Sequence, residues 1–157
     1  MKTKQKSNSF LQERKKLLLN KNGKPVKTAK RLPTIKQLVK KLDQVFSLYI
    51  RLRDKGVCFT CGKKDEIKKM QCGHYESRSH YNTRWDCQNA NSQCLRCNIF
   101  LKGNYPIYSI NLEKKYGLGI LEDLHLRAQQ PFKLYRAWLI GTIGFYENEV
   151  KKLEGEK

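Results

Sequence analysis

Acidic residues and long apolar runs are both scarce in this sequence. Only 14 Asp and Glu stand against 33 Lys and Arg, so the chain of 157 residues carries a formal net charge of +19 at pH 7. No apolar run approaches the roughly 18 residues that suggest a membrane-spanning helix. The basic start, MKTKQKSNSF, leads into no long apolar block. The sequence therefore predicts neither a membrane span nor a secretory signal.

Hydrophobic residues are also few for a domain of this length. They make up 39% of the chain, and its mean hydropathy is -0.73. A chain of this size suits one domain, or one domain with a tail, and its core must be modest. A bound metal would help to stabilise such a core.

The excess of positive charge indicates a polyanionic partner. A field of this size attracts nucleic acid and keeps the chain soluble. The alternative is a solvated basic surface, as on ribosome-associated or membrane-surface proteins. Charge by itself does not separate these two interpretations.

Four of the six cysteines form two CxxC pairs: Cys58 with Cys61, and Cys94 with Cys97. In a chain without a secretory signal, paired cysteines indicate metal ligands before disulfides. Two such turns complete the tetrahedral shell of one structural zinc ion per chain and leave no ligand position for water. Cys72 and Cys87 are predicted to be small buried residues. The alternative is that either of them enters the zinc shell.

The chain divides into a basic arm and one domain. Residues 1–33 hold eleven Lys or Arg and a single acid, and they form either a disordered tail or an arm that orders along phosphates. Residues 34–157 are predicted to form a single domain in three parts: a helix over 34–54, a metal-binding core over 57–104 and a helical part over 105–157.

The pattern over residues 34–54 is that of an amphipathic helix capped by Thr34. Its apolar stripe is predicted to be core: Ile35, Leu38, Val39, Leu42, Val45, Phe46, Tyr49 and Leu52. Its basic face is either solvated or turned toward DNA, and it carries Lys36, Lys40, Lys41 and Arg51.

The remaining elements are predicted from shorter patterns. Strands are expected near 67–75 and 80–86, and a helix is expected to begin at the second cysteine pair, over 94–101. Helical patterning returns at three places: 107–116, 119–129 and from Pro131 onward. The aromatic residues of the last segment are expected to pack on the first helix. In the alternative they form a self-association face, which would make a homodimer.

Three polar residues lie within or directly after the segment between the cysteine pairs: His74, Asn89 and Asn98. Their order resembles the HNH, or ββα-metal, nuclease motif. Hydrolysis of a phosphodiester needs a base for the attacking water and a cation for the developing charge. Histidine suits the base, and an asparagine oxygen suits a hard cation. His74 alone would more often be structural, but the order inside the cysteine bracket favours the nuclease motif.

Three longer strings carry a closer resemblance: FSLYIRLRDKGVCFTCG, CGHYESR and TRWDCQNANSQCLRCNIFLKGN. They resemble the NinG (Rap) recombination protein family of bacteriophages over most of residues 40–146. That family is regarded as structure-dependent endonucleases that cut branched intermediates such as Holliday junctions and D-loops. The resemblance implies an α+β, mainly helical fold in which helices flank a zinc-stapled HNH motif.

The resemblance also implies roles by position. His74 would be the general base, Asn89 the residue that orients it, and Asn98 a residue of the catalytic cation site, which would hold Mg²⁺ or Mn²⁺. The implied partners are branched DNA and phage or host recombination proteins, in the cytoplasm of a bacterial host cell. The DNA contacts are assigned to seven basic residues: Lys36, Lys40, Arg51, Arg78, Arg84, Arg96 and Lys102.

One position departs from the motif. Many HNH enzymes have a cation-binding Asp or His directly before the base, whereas this sequence has Gly73 there. Asp86 is the favoured replacement, with His80 and Glu76 as further candidates. The alternative for Asp86 is that it only caps a turn.

Two functions of different classes therefore remain in competition. The first is a metal-dependent endonuclease, and the second is a non-catalytic, zinc-stapled nucleic-acid-binding module on an HNH scaffold. A third interpretation, an RNA- or ribosome-associated zinc protein, leaves the order of His74, Asn89 and Asn98 unexplained.

Overall fold

The computed structural model describes residues 32–155, and nearly all of the basic arm predicted over 1–33 lies outside them. Five α-helices and one pair of strands follow one another along the described chain. In order they are α1 (Ile35–Arg53), β1 (Gln71–His74), α2 (Tyr81–Arg84), β2 (Ala90–Gln93), α3 (Tyr105–Tyr116), α4 (Ile120–Gln129) and α5 (Arg136–Gly155). A short 3-10 turn precedes β1 at Ile67–Lys69, and a π-helical turn follows β2 at Arg96–Phe100.

Helix α1 begins and ends where the sequence predicts. The Thr34 hydroxyl accepts from the Gln37 amide at 3.2 Å, and the Gln37 side chain accepts from the Thr34 amide at 2.7 Å. This reciprocal pair satisfies backbone donors that the first turn leaves free. At the other end, Lys55 and Gly56 take positive φ angles of 52° and 70°, which stops the helix.

The main core lies between α1 and α5. Its buried side chains come from both helices and from the segment around β2: Leu38, Leu42, Phe46, Ile50, Trp85, Ala90, Leu139, Ile143 and Tyr146. The predicted packing of the last segment on the first helix is therefore confirmed for Leu139, Ile143 and Tyr146. Trp138 and Phe145 remain partly exposed, and the Trp138 ring lies 5.7 Å from the ring of Trp85.

The two strands form one antiparallel pair, with Gln71 opposite Gln93 and His74 opposite Ala90. The first predicted strand is confirmed over its last part. The prediction of a strand over 80–86 is wrong, because that segment forms the single helical turn α2. The partner strand, Ala-Asn-Ser-Gln, is polar yet fully buried, so it has none of the alternation by which a half-buried strand is recognised.

The C-terminal helices build a second, smaller core. Tyr108 and Leu112 of α3 pack against Ile120 and Leu124 of α4. Both helices lie close to their predicted bounds, whereas α5 begins at Arg136, five residues later than Pro131. The fold is thus mainly helical with one small sheet. Within residues 32–155, no helix combines the length and the apolar character needed to cross a membrane.

The contact between α1 and α5 is expected to carry much of the stability. Leu139 is fully buried, whereas its neighbour Ile140 is 49% exposed. Leu139→Ala leaves a cavity and should lower the free energy of unfolding by about 2–5 kcal/mol. Ile140→Ala, the matched control, should change it by no more than about 0.5 kcal/mol. Urea denaturation of both variants measures the difference, and equal losses would contradict this packing.

Candidate functional site

The four paired cysteines meet in one cluster. The sulfur atoms of Cys58, Cys61, Cys94 and Cys97 all lie within 4.8 Å of one another. The Cys61 and Cys94 sulfurs are 3.8 Å apart. A tetrahedron with Zn–S bonds of about 2.3 Å has edges of about 3.8 Å, so this spacing fits one zinc ion. The cluster can hold a metal ion such as zinc, as the spacing of the cysteine pairs predicts.

Backbone hydrogen bonds fix the first cysteine pair in a tight turn. The Cys58 amide donates to the Lys63 carbonyl at 2.8 Å, and the Gly62 amide donates to the Cys58 carbonyl at 2.9 Å. Gly62 takes a φ of 72°, which favours glycine. The Phe59 amide then donates to the Ser92 carbonyl of β2 at 2.7 Å. Because β2 leads directly into Cys94, this bond brings the two pairs together.

The pKa values of two thiols in the cluster, those of Cys58 and Cys61, are shifted in opposite directions. Burial opposes ionisation of Cys58, but hydrogen bonds from the Thr60 hydroxyl and nearby backbone amides lower its pKa to about 6. Desolvation and the neighbouring sulfurs raise the pKa of Cys61 to about 12. Four thiolates at this spacing repel one another, and a bound divalent cation removes that repulsion. Cys72 and Cys87 lie outside the cluster, which excludes the alternative that either belongs to it.

A cleft of about 350 Å³ lies beside this cluster and contains two of the predicted site residues, His74 and Asn98. Its walls come from α1, from β1 with the residue before it, from the loop after β1 and from the π-helical turn. The lining residues are Asp43, Phe46, Ser47, Met70, Gln71, Cys72, His74, Arg78, Asn98 and Ile99. The cleft is open to solvent and large enough to admit a phosphate group.

His74 is held in one orientation and one tautomer. Its Nε2 lies 2.9 Å from the Arg84 carbonyl oxygen. Because a carbonyl only accepts, Nε2 carries the proton, and the neutral ring keeps its lone pair on Nδ1. The ring lies against Phe46, with centroids 6.3 Å apart. Burial lowers the pKa of His74 below its ordinary 6.5, so the side chain is neutral at pH 7 and can accept a proton.

The Asn89 side chain bonds to the backbone on either side of the His74 site, at Glu76 and Thr83. It is fully buried. Its amide oxygen accepts from the Glu76 amide at 2.6 Å, and its amide nitrogen donates to the Thr83 carbonyl at 2.9 Å. It thereby ties the loop after β1 to α2, the turn that ends at Arg84. The carbonyl that fixes the His74 ring thus depends on Asn89.

Asn98 faces the cleft from the π-helical turn. Its side-chain nitrogen donates to the Gln71 amide oxygen at 2.6 Å, which leaves its own amide oxygen for a cation or a water molecule. The Asn98 backbone amide donates to the Cys94 carbonyl at 3.0 Å, so the cysteine cluster positions this residue. Gln71, which the sequence reasoning missed, shares the cleft with Asn98.

The structure does not bring Asp86 into the cleft. Its carboxylate accepts from the Gln88 backbone amide at 2.8 Å and forms an ion pair with Arg127 of α4. The alternative that Asp86 caps a turn is the arrangement found, because an aspartate readily bonds the amide two residues on. His80 precedes α2 and faces a different cavity, and Glu76 pairs with His125. None of the three sequence candidates therefore replaces the ligand missing at Gly73.

The reason for glycine at position 73 lies on the other side of the strand. A Cβ at this position would overlap the amide oxygen of Gln93. Gln93 is fully buried and donates to the Gly103 carbonyl at 2.8 Å and to the Thr60 hydroxyl at 3.2 Å. Any larger residue at position 73 would displace this side chain, so the position is closed to a cation ligand.

Asp43 is the carboxylate that lines the cleft, and the sequence reasoning did not select it. It accepts from Arg84 through both oxygens, at 2.9 and 2.7 Å, from Trp85 at 2.9 Å and from Arg78 at 3.0 Å. Burial opposes its ionisation, but the hydrogen bonds and charges of these partners lower the pKa of Asp43 below its ordinary value. Its one sequence signal is that it is the only acid in the basic helix α1.

The seven basic residues assigned to DNA contacts fall into two groups. Lys36, Lys40, Arg78, Arg96 and Lys102 are exposed. The other two are half-buried and hold the fold together. Arg51 donates to the Ile67 carbonyl at 2.9 Å, and Arg84 is paired with Asp43. Arg84 and Arg51 are therefore structural ties, and DNA contact stays a prediction for the exposed group.

Removal of the metal is expected to unfold the cysteine-bracketed segment. We expect about one zinc ion per chain by elemental analysis, and Cys58→Ser should lower that content and expose the segment to protease. Cys87→Ser is the matched control, because Cys87 lies outside the cluster and contacts the Tyr146 hydroxyl at 3.5 Å. Equal zinc content in both variants would contradict a four-cysteine site.

Comparisons with known proteins place the chain in a family. The family model described as "Bacteriophage Lambda NinG protein" matches residues 1–156. "Protein ninG" of Salmonella phage P22 and "Protein ninG" of Escherichia phage 933W are each 27% identical to the chain over 88 residues. These matches cover 55% of this chain and 43% of each relative, less than half of the relatives' length. No solved structure matches the chain. Because the family model matches almost the whole sequence, the protein belongs to the NinG family of bacteriophage proteins.

Proposed function

We propose that this protein is a metal-dependent HNH-type endonuclease that cuts branched DNA recombination intermediates, such as Holliday junctions and D-loops. The observation that carries the proposal is the state of His74. It is a half-buried, neutral histidine whose proton is fixed on Nε2, and it shares a solvent-open cleft with Asn98. Membership of the NinG family and the resemblance of the motif support DNA as the substrate.

In this mechanism His74 acts on the attacking water. Nδ1 takes a proton from the water, the water oxygen bonds to phosphorus, and the bond from phosphorus to the leaving oxygen breaks. The Arg84 carbonyl stabilises the imidazolium that forms, because the Nε2–H bond to it strengthens when the ring becomes charged. Asn89 keeps that carbonyl in place through its bonds to the Glu76 amide and the Thr83 carbonyl.

In this proposal Arg78 binds the phosphate. Its guanidinium lines the cleft, is about half exposed, and uses one nitrogen to bond Asp43. The remaining donors can bond a phosphate oxygen in the geometry that arginine favours. Asp43 therefore acts as a positioning residue that holds Arg78 beside His74.

The catalytic cation, Mg²⁺ or Mn²⁺, has oxygen donors in the same cleft. The amide oxygen of Asn98 is the primary one, and the Ser47 hydroxyl is also present. All four lone-pair positions of Asp43 accept N–H groups, so a cation held beside Asn98 would take its remaining ligands from water and the DNA phosphate. When bound, it would stabilise negative charge on the phosphate and the leaving oxygen.

The alternative function is a non-catalytic, zinc-stapled module that binds nucleic acid. The absence of a free carboxylate among the residues that line the cleft favours this alternative, because most Mg²⁺ sites use at least one. A homodimer and phage or host recombination proteins as partners remain predictions. Catalysis and binding can be separated by experiment.

Replacement of His74 should remove cleavage and leave binding intact. We expect His74→Ala to slow scission of a four-way junction in Mg²⁺ or Mn²⁺ by about 10²–10⁴-fold. His125→Ala, at an exposed histidine of α4 outside the cleft, is the matched control and should cut like the unchanged protein. Gel assays measure scission, and titration in EDTA measures binding. A wild-type chain that binds junctions but cuts none, with any of these cations, would select the non-catalytic alternative.

The pH dependence of cleavage should follow the lowered pKa of His74. Because burial disfavours the charged ring, the base form persists below the ordinary value of 6.5. We therefore expect a constant single-turnover rate from pH 8 down to 7 and a decline only below about 6.5. DNA affinity should not fall over the same range, because acid adds positive charge to the protein. A rate that declines already between pH 8 and 7 would exclude His74 as the titrating base.

A further inference from the structure

We propose that Ile99 and Phe100 form an apolar wedge that enters an opened base step of branched DNA next to the phosphate held in the cleft. This inference rests on the proposed function, since it specifies which feature of the DNA the same site selects. It assigns selection of branched DNA to two side chains that have no part in the chemistry.

The wedge consists of large apolar side chains that face solvent. Phe100 is 72% exposed and Ile99 is 55% exposed, and Leu101 beside them is 45% exposed. Ile99 and Phe100 follow Asn98 within the π-helical turn, and Leu101 is the first residue after that turn. Burial of such side chains is favourable, so three consecutive exposed ones indicate a surface that is covered in a complex.

The wedge is held on a rigid base. The Leu101 amide donates to the Arg96 carbonyl at 2.9 Å, and the Gly103 amide donates to the Cys97 carbonyl at 2.9 Å. Cys97 is fully buried in the cysteine cluster. A side chain that must separate two stacked bases needs such a support, because a flexible loop would yield before the bases do.

Its position couples the wedge to the cleft. Ile99 lines the cleft together with His74, Asn98 and Arg78, and Phe100 follows it on the outside. A phosphodiester bound between Arg78 and Asn98 brings the bases of the same nucleotide step to the rim where these two side chains stand. The wedge and the candidate base would then act on one step of the DNA.

The charges around the wedge favour DNA over a second copy of this chain. Arg96 and Lys102 flank it in sequence, both are exposed, and within residues 32–155 neither forms an ion pair. Two chains of net charge +19 repel each other, and the cores of protein interfaces are depleted of charged residues. Apolar side chains inserted between bases and bracketed by phosphate-binding cations are an established mode of DNA binding.

Branched DNA is the form that such a wedge selects. Opening a base step costs least where stacking is already interrupted, as it is at the branch point of a junction or the edge of a D-loop. In continuous duplex the same insertion must first break an intact stack. The wedge therefore adds affinity at branch points and little in linear duplex.

The test uses the whole chain with zinc bound, in EDTA, so that no cleavage is required. A four-way junction and a linear duplex each carry one fluorescent 2-aminopurine, at the branch point and at a matched step. The unchanged protein should raise the fluorescence of the junction probe as the base unstacks. Phe100→Ala should abolish that rise and weaken junction binding roughly 10-fold, with duplex binding unchanged.

Two further variants act as controls. Phe100→Trp should retain the fluorescence rise, because an aromatic ring is preserved. Leu118→Ala, at a residue 91% exposed between α3 and α4, should behave like the unchanged protein. A fluorescence rise that persists in Phe100→Ala, or an equal loss of junction and duplex binding, would overturn the wedge. A dimer that dissociates in Phe100→Ala, seen by light scattering, would also overturn it and assign the surface to self-association.

The same measurements separate this inference from the proposed function. A chain that unstacks the branch-point base but never cuts would leave the wedge standing and remove the endonuclease. A chain that cuts junctions without any unstacking signal would do the reverse.

Discussion

The convergence of four cysteine sulfurs is the constraint on which the central part of this fold depends. Within residues 57–104, Met70 and Trp85 are the only large apolar side chains that are buried. The buried cluster around the sulfurs adds only Met70 to three of the cysteines. A metal bound at this point ties the turn after α1 to the turn after β2, over 32 intervening residues. Asn98 follows Cys97 directly, and Gln71 follows Met70, so both polar walls of the cleft start from this cluster. A metal ion held by this cluster would thereby set the geometry of the candidate site without contacting it.

Buried amides take the place of apolar packing around the two strands. Asn89, Asn91 and Gln93 are all fully buried. Asn91 donates to the Tyr108 hydroxyl at 3.1 Å, and that hydroxyl lies within 3.2 Å of the Gly73 carbonyl. Such networks stabilise only when their partners are in place, so they specify one arrangement more strictly than a packed apolar contact does. This strictness suits a strand that must hold one histidine ring in one orientation.

Charge in the cleft is organised around a single carboxylate. Asp43 accepts hydrogen bonds from Arg84, Arg78 and the Trp85 indole. These bonds link α1 to the segment that carries the Arg84 carbonyl. In a chain of net charge +19, this half-buried acid brings two guanidinium groups close together. The result is a cleft with a neutral histidine and an available positive charge at Arg78, which suits an anionic ligand. In the proposed mechanism, a divalent cation would depend on amide oxygens and on the DNA itself.

The sequence by itself determined those features that rest on local spacing. Each CxxC pair places two thiolates on one side of a turn, and the stripe after Thr34 repeats every three to four residues, so the cysteine cluster and α1 could both be predicted. The second strand, the start of α5 and the choice between Asp86 and Asp43 could not. The polar residues of β2 form their hydrogen bonds with distant segments. No local sequence pattern therefore predicts that these amides are buried. Asp86 lies close to Asn89 in sequence yet pairs with Arg127, whereas Asp43 lies 31 residues before His74 and lines the same cleft. Only the packing of α1 against the strands decides which carboxylate lines the same cleft as His74. Whether two distant side chains lie close together depends on how their elements pack, and the spacing within one segment does not predict it.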